Sequence, residues 1–234
     1  MRKTAAKKRQ RYSNDAIQEC LRVMESATGE DLFEILPKVG VIRDARFREP
    51  LLSLLSHRDP KHREFAAYAM GAMADREFLD PLKQAFHEAH EARGSRAEGL
   101  QTAIVEAIGA IGDDAAVEFF LPFLRRPPTG KQAAQLRRQV VESMGNIAQQ
   151  GGKACVSALM ELTAHEDPEM RAQAVSELSI AFWHRPNDVT DDILHRICDM
   201  TRDPSRAVAE SALAALQSLA DVGCSRAERL FCKD

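Results

Sequence analysis

Apolar residues fall on one side of a helix again and again along this chain, and the stripes return at a nearly fixed interval. In five stretches the positions five, four and one before a recurrent site are apolar. They are Ala66, Ala67 and Met70 before Gly71; Ile104, Val105 and Ile108 before Gly109; and Val140, Val141 and Met144 before Gly145. Ala174, Val175 and Leu178 precede Ser179, and Ala212, Leu213 and Leu216 precede Gln217. Offsets of three and four put such residues on one helical face. The recurrent site repeats after 38, 36, 34 and 38 residues, the interval of an array of helix pairs. A glycine inside a helix costs roughly 1 kcal/mol against alanine. Its reuse at 71, 109 and 145 therefore predicts close approach by a neighbouring helix.

Each of these inner helices is preceded by a second apolar cluster. Leu51, Leu54 and Leu55, then Phe78, Leu82 and Phe86, then Phe119, Phe120 and Leu124 mark the first three outer helices. Leu159 and Leu162, and then Ile193 and Ile197, mark the last two. The turns Asp59-Pro60, Asp167-Pro168 and Asp203-Pro204 suit inner-helix starts, with aspartate as cap and proline in the first turn. Arg63, Arg137 and Arg171 share one place in three inner helices, where they can pair with turn aspartates. Ahead of the array, Ile17, Leu21 and Met24 predict a helix over 14–27 capped by Ser13 or Asn14, and a second helix runs from Asp31 to about Gly40. The chain thus divides into a basic tail (1–12), a capping pair (13–45), five pairs (46–222) and a C-terminal cap (223–234). The fold class is all-α.

Residues 46–222 resemble the HEAT-repeat family, in particular the bacterial repeats related to phycobilin lyases. The likeness is carried by Asp59-Pro60-Lys61-His62-Arg63 with Ala69-Met70-Gly71-Ala72-Met73-Ala74-Asp75, and by Glu106-Ala107-Ile108-Gly109-Ala110-Ile111-Gly112-Asp113. Asp167-Pro168-Glu169-Met170-Arg171-Ala172-Gln173-Ala174 adds a third stretch. The resemblance implies a right-handed α-solenoid of about five HEAT-like pairs, with the second helix of each pair lining the concave side. The fourth pair departs from the pattern, because Glu177 and Ser179 stand where the others carry small residues, and irregular packing is expected there.

Charge and composition narrow the chemistry. Residues 1–12 hold Arg2, Lys3, Lys7, Lys8, Arg9 and Arg11 and no acid, so a chain of net charge −3 leaves −9 for the rest. That body is a poor phosphate groove, while the tail is a candidate contact for nucleic acid or the ribosome. Five cysteines without a Cys-x-x-Cys pair fit core thiols in a reducing compartment. No stretch has the ~18 apolar residues of a membrane span. A cytoplasmic protein is the expectation.

No catalytic arrangement emerges. His87 and His90 are three apart rather than four, with no third ligand evident, so no metal is assigned. The HEAT-type deoxyhypusine hydroxylases bind iron through His-Glu dipeptides in their inner helices. The corresponding places here are Glu64-Phe65, Thr102-Ala103, Arg138-Gln139, Ala172-Gln173 and Glu210-Ser211, none of which matches. No nucleophile motif, phosphate loop or cofactor is indicated. Trp183, the one tryptophan, is expected to pack at the end of its helix. The residues three before the recurrent site, and one turn earlier, form a mildly acidic strip. From it Glu64, Tyr68, Glu106, Arg138 and Glu142 are the candidate protein-binding residues. The expected function is a non-catalytic scaffold that binds a protein on its concave face. The alternatives are a lyase- or chaperone-like factor for a tetrapyrrole-bearing or other client protein, and a nucleic-acid- or ribosome-associated factor using the basic N-terminal tail.

Overall fold

The structure is a computed structural model that describes residues 13–26, 28, 30–91, 95–125 and 129–231, the side chains of 90, 91, 95–98 and 231 excepted. The basic residues Arg2, Lys3, Lys7, Lys8, Arg9 and Arg11, the His90 side chain and Cys232 lie outside them. Among the described residues every regular element is helical. The α-helices are α1 (Asn14–Ser26), α2 (Leu36–Ile42), α3 (Arg48–Leu55), α4 (Pro60–Met73), α5 (Leu79–Glu91), α6 (Ser95–Ile111) and α7 (Val117–Leu124). They continue as α8 (Lys131–Gln149), α9 (Lys153–Leu162), α10 (Pro168–Ala181), α11 (Asp191–Met200), α12 (Arg206–Asp221) and α13 (Ser225–Phe231).

The even-numbered helices from α2 to α12 pack in chain order, each against the one before and the one after. Each of α3, α5, α7, α9 and α11 packs on the even-numbered helix that follows it. This order follows from the stripes. Met70, Ile108, Met144, Leu178 and Leu216 are all buried, as are Ala66, Ile104, Val140, Ala174 and Ala212. Leu213 departs from its equivalents and is 44% exposed, because among the described residues no further inner helix follows α12 to cover it.

The recurrent glycines work as contact points. A Cβ on Gly71 would lie 2.7 Å from the Cα of Ala107, and one on Gly109 would lie 2.8 Å from the Cβ of Ser143. Each site thus meets the residue two before the next recurrent site. Ser143 also donates from its hydroxyl to the Val105 carbonyl at 3.0 Å, which ties α8 to α6.

The helix starts behave largely as the sequence predicts. Asp59 accepts from the Lys61 amide at 2.9 Å and Asp167 from the Glu169 amide at 3.0 Å, with Pro60 and Pro168 opening α4 and α10. Such caps contribute about 1 kcal/mol each. The third turn differs. Asp203 accepts from the Ser205 amide at 2.8 Å, and α12 begins only at Arg206, which leaves Pro204 outside the helix. Ser13 rather than Asn14 caps α1, since the Asn14 amide oxygen is engaged by Arg46 at 2.7 Å. The predicted second helix starts as a 3-10 turn (Asp31–Ile35) before α2.

Arg137 and Arg171 tie successive layers together. Arg137 reaches Asp167 at 3.3 Å, and Arg171 grips both oxygens of Asp203 at 2.8 and 2.9 Å. Each arginine therefore holds the aspartate that caps or orders the next turn. Arg63 shows no such pair; its Nε is buried without a partner among the described residues.

The links from inner to outer helices use a device that helical periodicity does not announce. Arg43, Ala74 and Gly112 adopt φ of 49°, 52° and 76°, and each is followed by an aspartate. Asp44, Asp75 and Asp113 then accept from the amides of Arg46, Glu77 and Ala115 at 3.0, 3.2 and 2.9 Å, closing short 3-10 turns. Phe47, Phe78 and Ala116 end these turns and are buried. Left-handed backbone is costly for a residue with a Cβ, so Gly112 fits its place with least strain.

The fourth pair keeps its place in the row, with α10 packed between α8 and α12. The irregularity comes afterwards, in the turn that follows Ala181. There Phe182 takes the core position and Trp183 is turned outward, 50% exposed. The Arg185 guanidinium lies over the Phe182 ring at 5.6 Å and donates to the Ala148 carbonyl at 2.7 Å. The chain end of α10 is thus anchored by Phe182 and Arg185, and the expectation that Trp183 packs there does not hold.

Candidate functional site

Residues three before the recurrent site lie beside the buried stripe on each inner helix, and on α4, α6 and α8 they are Tyr68, Glu106 and Glu142. The stacking of these helices links their side chains. Tyr68 and Glu106 face each other across the α4–α6 seam, close enough for each to shift the other's titration. Tyr68 is held in turn by Phe33, whose ring meets it at 6.2 Å and meets Phe65 at 5.8 Å, both edge-on. Burial, then the charges of Glu106 and Glu64, push the Tyr68 hydroxyl above its ordinary pKa. Burial first, and the charge of Glu142 next, raise the Glu106 carboxyl, while the nearby Tyr68 hydroxyl pulls it the other way.

Glu64 lies one turn before Tyr68. Its carboxylate pairs with Lys61 at 2.8 Å and rests against the backbone of α6, 2.6 Å from where a Cβ on Gly99 would sit. Glu142 is exposed and accepts from Gln139 at 3.3 Å. Arg138 is employed differently. It crosses to α10 to pair with Glu169 at 2.8 Å, and its own carbonyl accepts from Gln173 at 2.7 Å. Four of the five predicted residues, Glu64, Tyr68, Glu106 and Glu142, therefore belong to one run of anionic and phenolic groups. Arg138 is a tie between helices.

The run does not end at Glu142. Glu177 on α10 stands opposite Gly145, and its carboxyl fills the space that a Cβ there would need. The residue is 8% exposed. Burial, then the charge of Glu142, pushes the Glu177 carboxyl up to about 8. Desolvation disfavours the charged form, and a neighbouring carboxylate disfavours it further. The signal for Glu177 was present in the sequence, because Ala107, Ser143 and Ala215 occupy the same place in the other pairs.

Among the described residues, the buried cysteines carry no comparable chemistry. Cys20, Cys155 and Cys224 are buried free thiols. Burial, with the charge of Asp114 beside it, pushes the Cys155 thiol up to about 12, far from a reactive thiolate. Asp114 itself caps α9 from the preceding pair, accepting from the Ala154 and Cys155 amides at 2.7 and 2.9 Å.

No protein-family model and no curated protein matches the chain. Among solved structures, two engineered proteins studied by the Northeast Structural Genomics Consortium are similar to it. One is 17% identical with a TM-score of 0.47, covering 90% of this chain and 98% of its own. The other is 16% identical with a TM-score of 0.43, covering 95% of this chain and 65% of its own.

Proposed function

We propose that the chain is a non-catalytic scaffold of HEAT-like pairs wound as a right-handed solenoid, and that it binds a protein partner carrying cationic side chains along its concave face. The stacking of the even-numbered helices in chain order supports the solenoid. The repeated aspartate caps and small recurrent residues support the HEAT-like assignment. The observation that carries the binding site is the linked run Glu64–Tyr68–Glu106–Glu142. It presents carboxylates on successive helices, and partial burial leaves Glu106 short of solvation that a cation would restore. A prearranged strip of this kind binds with little ordering cost of its own. Buried, unpaired thiols are consistent with a reducing, cytoplasmic setting.

The test is a titration of the full chain with a hexa-arginine peptide at moderate salt. Glu106→Lys with Glu142→Lys should weaken binding by about tenfold or more, because like charge across an interface costs several kcal/mol. Unchanged affinity in the double variant would remove the strip as the binding surface.

A further inference from the structure

Resting on the reading that this strip receives a cationic partner, we propose that Glu142 and Glu177 form a subsite for a single guanidinium or ammonium side chain of that partner, seated beside Gly145 between α8 and α10. The geometry points there because Glu177 is a largely buried acid, packed against Gly145, whose carboxyl has no polar partner among the described residues. It is 8% exposed, and among the described residues its carboxyl makes no hydrogen bond or ion pair. Its oxygens are not among the fully buried unpartnered atoms, so they reach the surface, where an incoming cation can meet them. Gly145 supplies the opening for it, and Glu142 lies one turn earlier on the same face of α8.

The arginines on the helices packed against α10 and on α10 itself are committed elsewhere. On α8, Arg138 is held by Glu169 at 2.8 Å. On α10 itself, Arg171 is held by Asp203 at 2.8 Å. On α12, Arg206 is paired with Glu210 at 2.6 Å. On α9, Lys153 and Glu161 are exposed. Burial, and after it the charge of Glu142, keeps a proton on the Glu177 carboxyl at neutral pH. Among the described residues, no group of three or more acidic, histidine or cysteine side chains is placed to hold a metal ion. Two carboxyls on adjacent helices suit a different guest, the planar fork of a guanidinium or an ammonium, which two carboxylates can bracket.

Occupation of the subsite exchanges one cation for another. The incoming side chain takes the place of the proton on the Glu177 carboxyl, and that proton passes to solvent. Binding is therefore coupled to pH through Glu177.

The probe is hexa-arginine titrated calorimetrically into the full chain in phosphate and in Tris. These buffers differ in ionisation enthalpy, so the difference between them counts the protons released. At pH 7 close to one proton should leave per peptide bound. The Kd should tighten by up to tenfold for each pH step of one from 6 toward 8, and level off above that. Glu177→Gln, which keeps the shape, should release none and bind with a flat profile over the same range. Binding without proton release, or equal release from the Gln form, would overturn the subsite and leave the strip standing. Failure of the peptide to bind at all would overturn both.

Discussion

The α4–α6 and α8–α10 seams start from the same glycine and arrive at different chemistry. At the first, Gly71 admits the backbone of Ala107, with 2.7 Å between its Cα and the position of a missing Cβ. The gap is closed by apolar contact. At the second, Gly145 faces Glu177, and the space is taken by a carboxyl with no hydrogen-bond donor. One vacancy tightens the stack. The other houses a group that the fold would be more stable without. A single position in a repeat can therefore be structural in one layer and available for function in another, and the residue across the seam decides which.

The largest expected effect breaks the second seam's peculiarity. The folded chain keeps the Glu177 proton until about pH 8, whereas the unfolded chain releases it near the ordinary glutamate value of 4.5. The native state thus binds more protons in that window, so this group's contribution is full below it and is lost as pH rises toward 8. Glu177→Gln should match the parent near pH 4 and exceed it by on the order of 3 kcal/mol at pH 7. Urea unfolding at the two pH values checks this, and equal stability at pH 7 would mean the carboxyl is neither buried nor protonated as described.

The next effect belongs to the first seam. Gly71→Ala should destabilise by about 2 kcal/mol, since overpacking against backbone outweighs the ~1 kcal/mol that alanine gains in helix propensity. The smallest is Gly145→Ala. There the obstructing atoms belong to the Glu177 side chain rather than to backbone, so they can give way by a change of rotamer. Thermal unfolding should place this variant within about 1 kcal/mol of the parent at pH 7. Equal losses from the two glycine variants would erase the distinction between the seams.

The sequence made the pairing of helices legible because burial imposes a period, and that period survives in Met70, Ile108, Met144, Leu178 and Leu216. It placed Glu64, Tyr68, Glu106 and Glu142 on one side by the same rule. It could not show that Arg138 is spent on Glu169, because an ion-pair partner one layer away leaves no local trace. Glu177 read as a departure from pattern rather than as the complement of Gly145, since periodicity says which face a residue is on and not what faces it. The 3-10 links after Arg43, Ala74 and Gly112 escaped for a related reason. Their signal is a capping aspartate with a buried residue three places on, which has no helical repeat.

The most direct test is the titration of the Glu177 side-chain carboxyl by carbon NMR, assigned by its loss in Glu177→Gln. A midpoint near 8 that falls by more than one pH step when hexa-arginine is added would bear out a buried acid waiting for a cation. A midpoint near the ordinary 4.5, unmoved by the peptide, would contradict it.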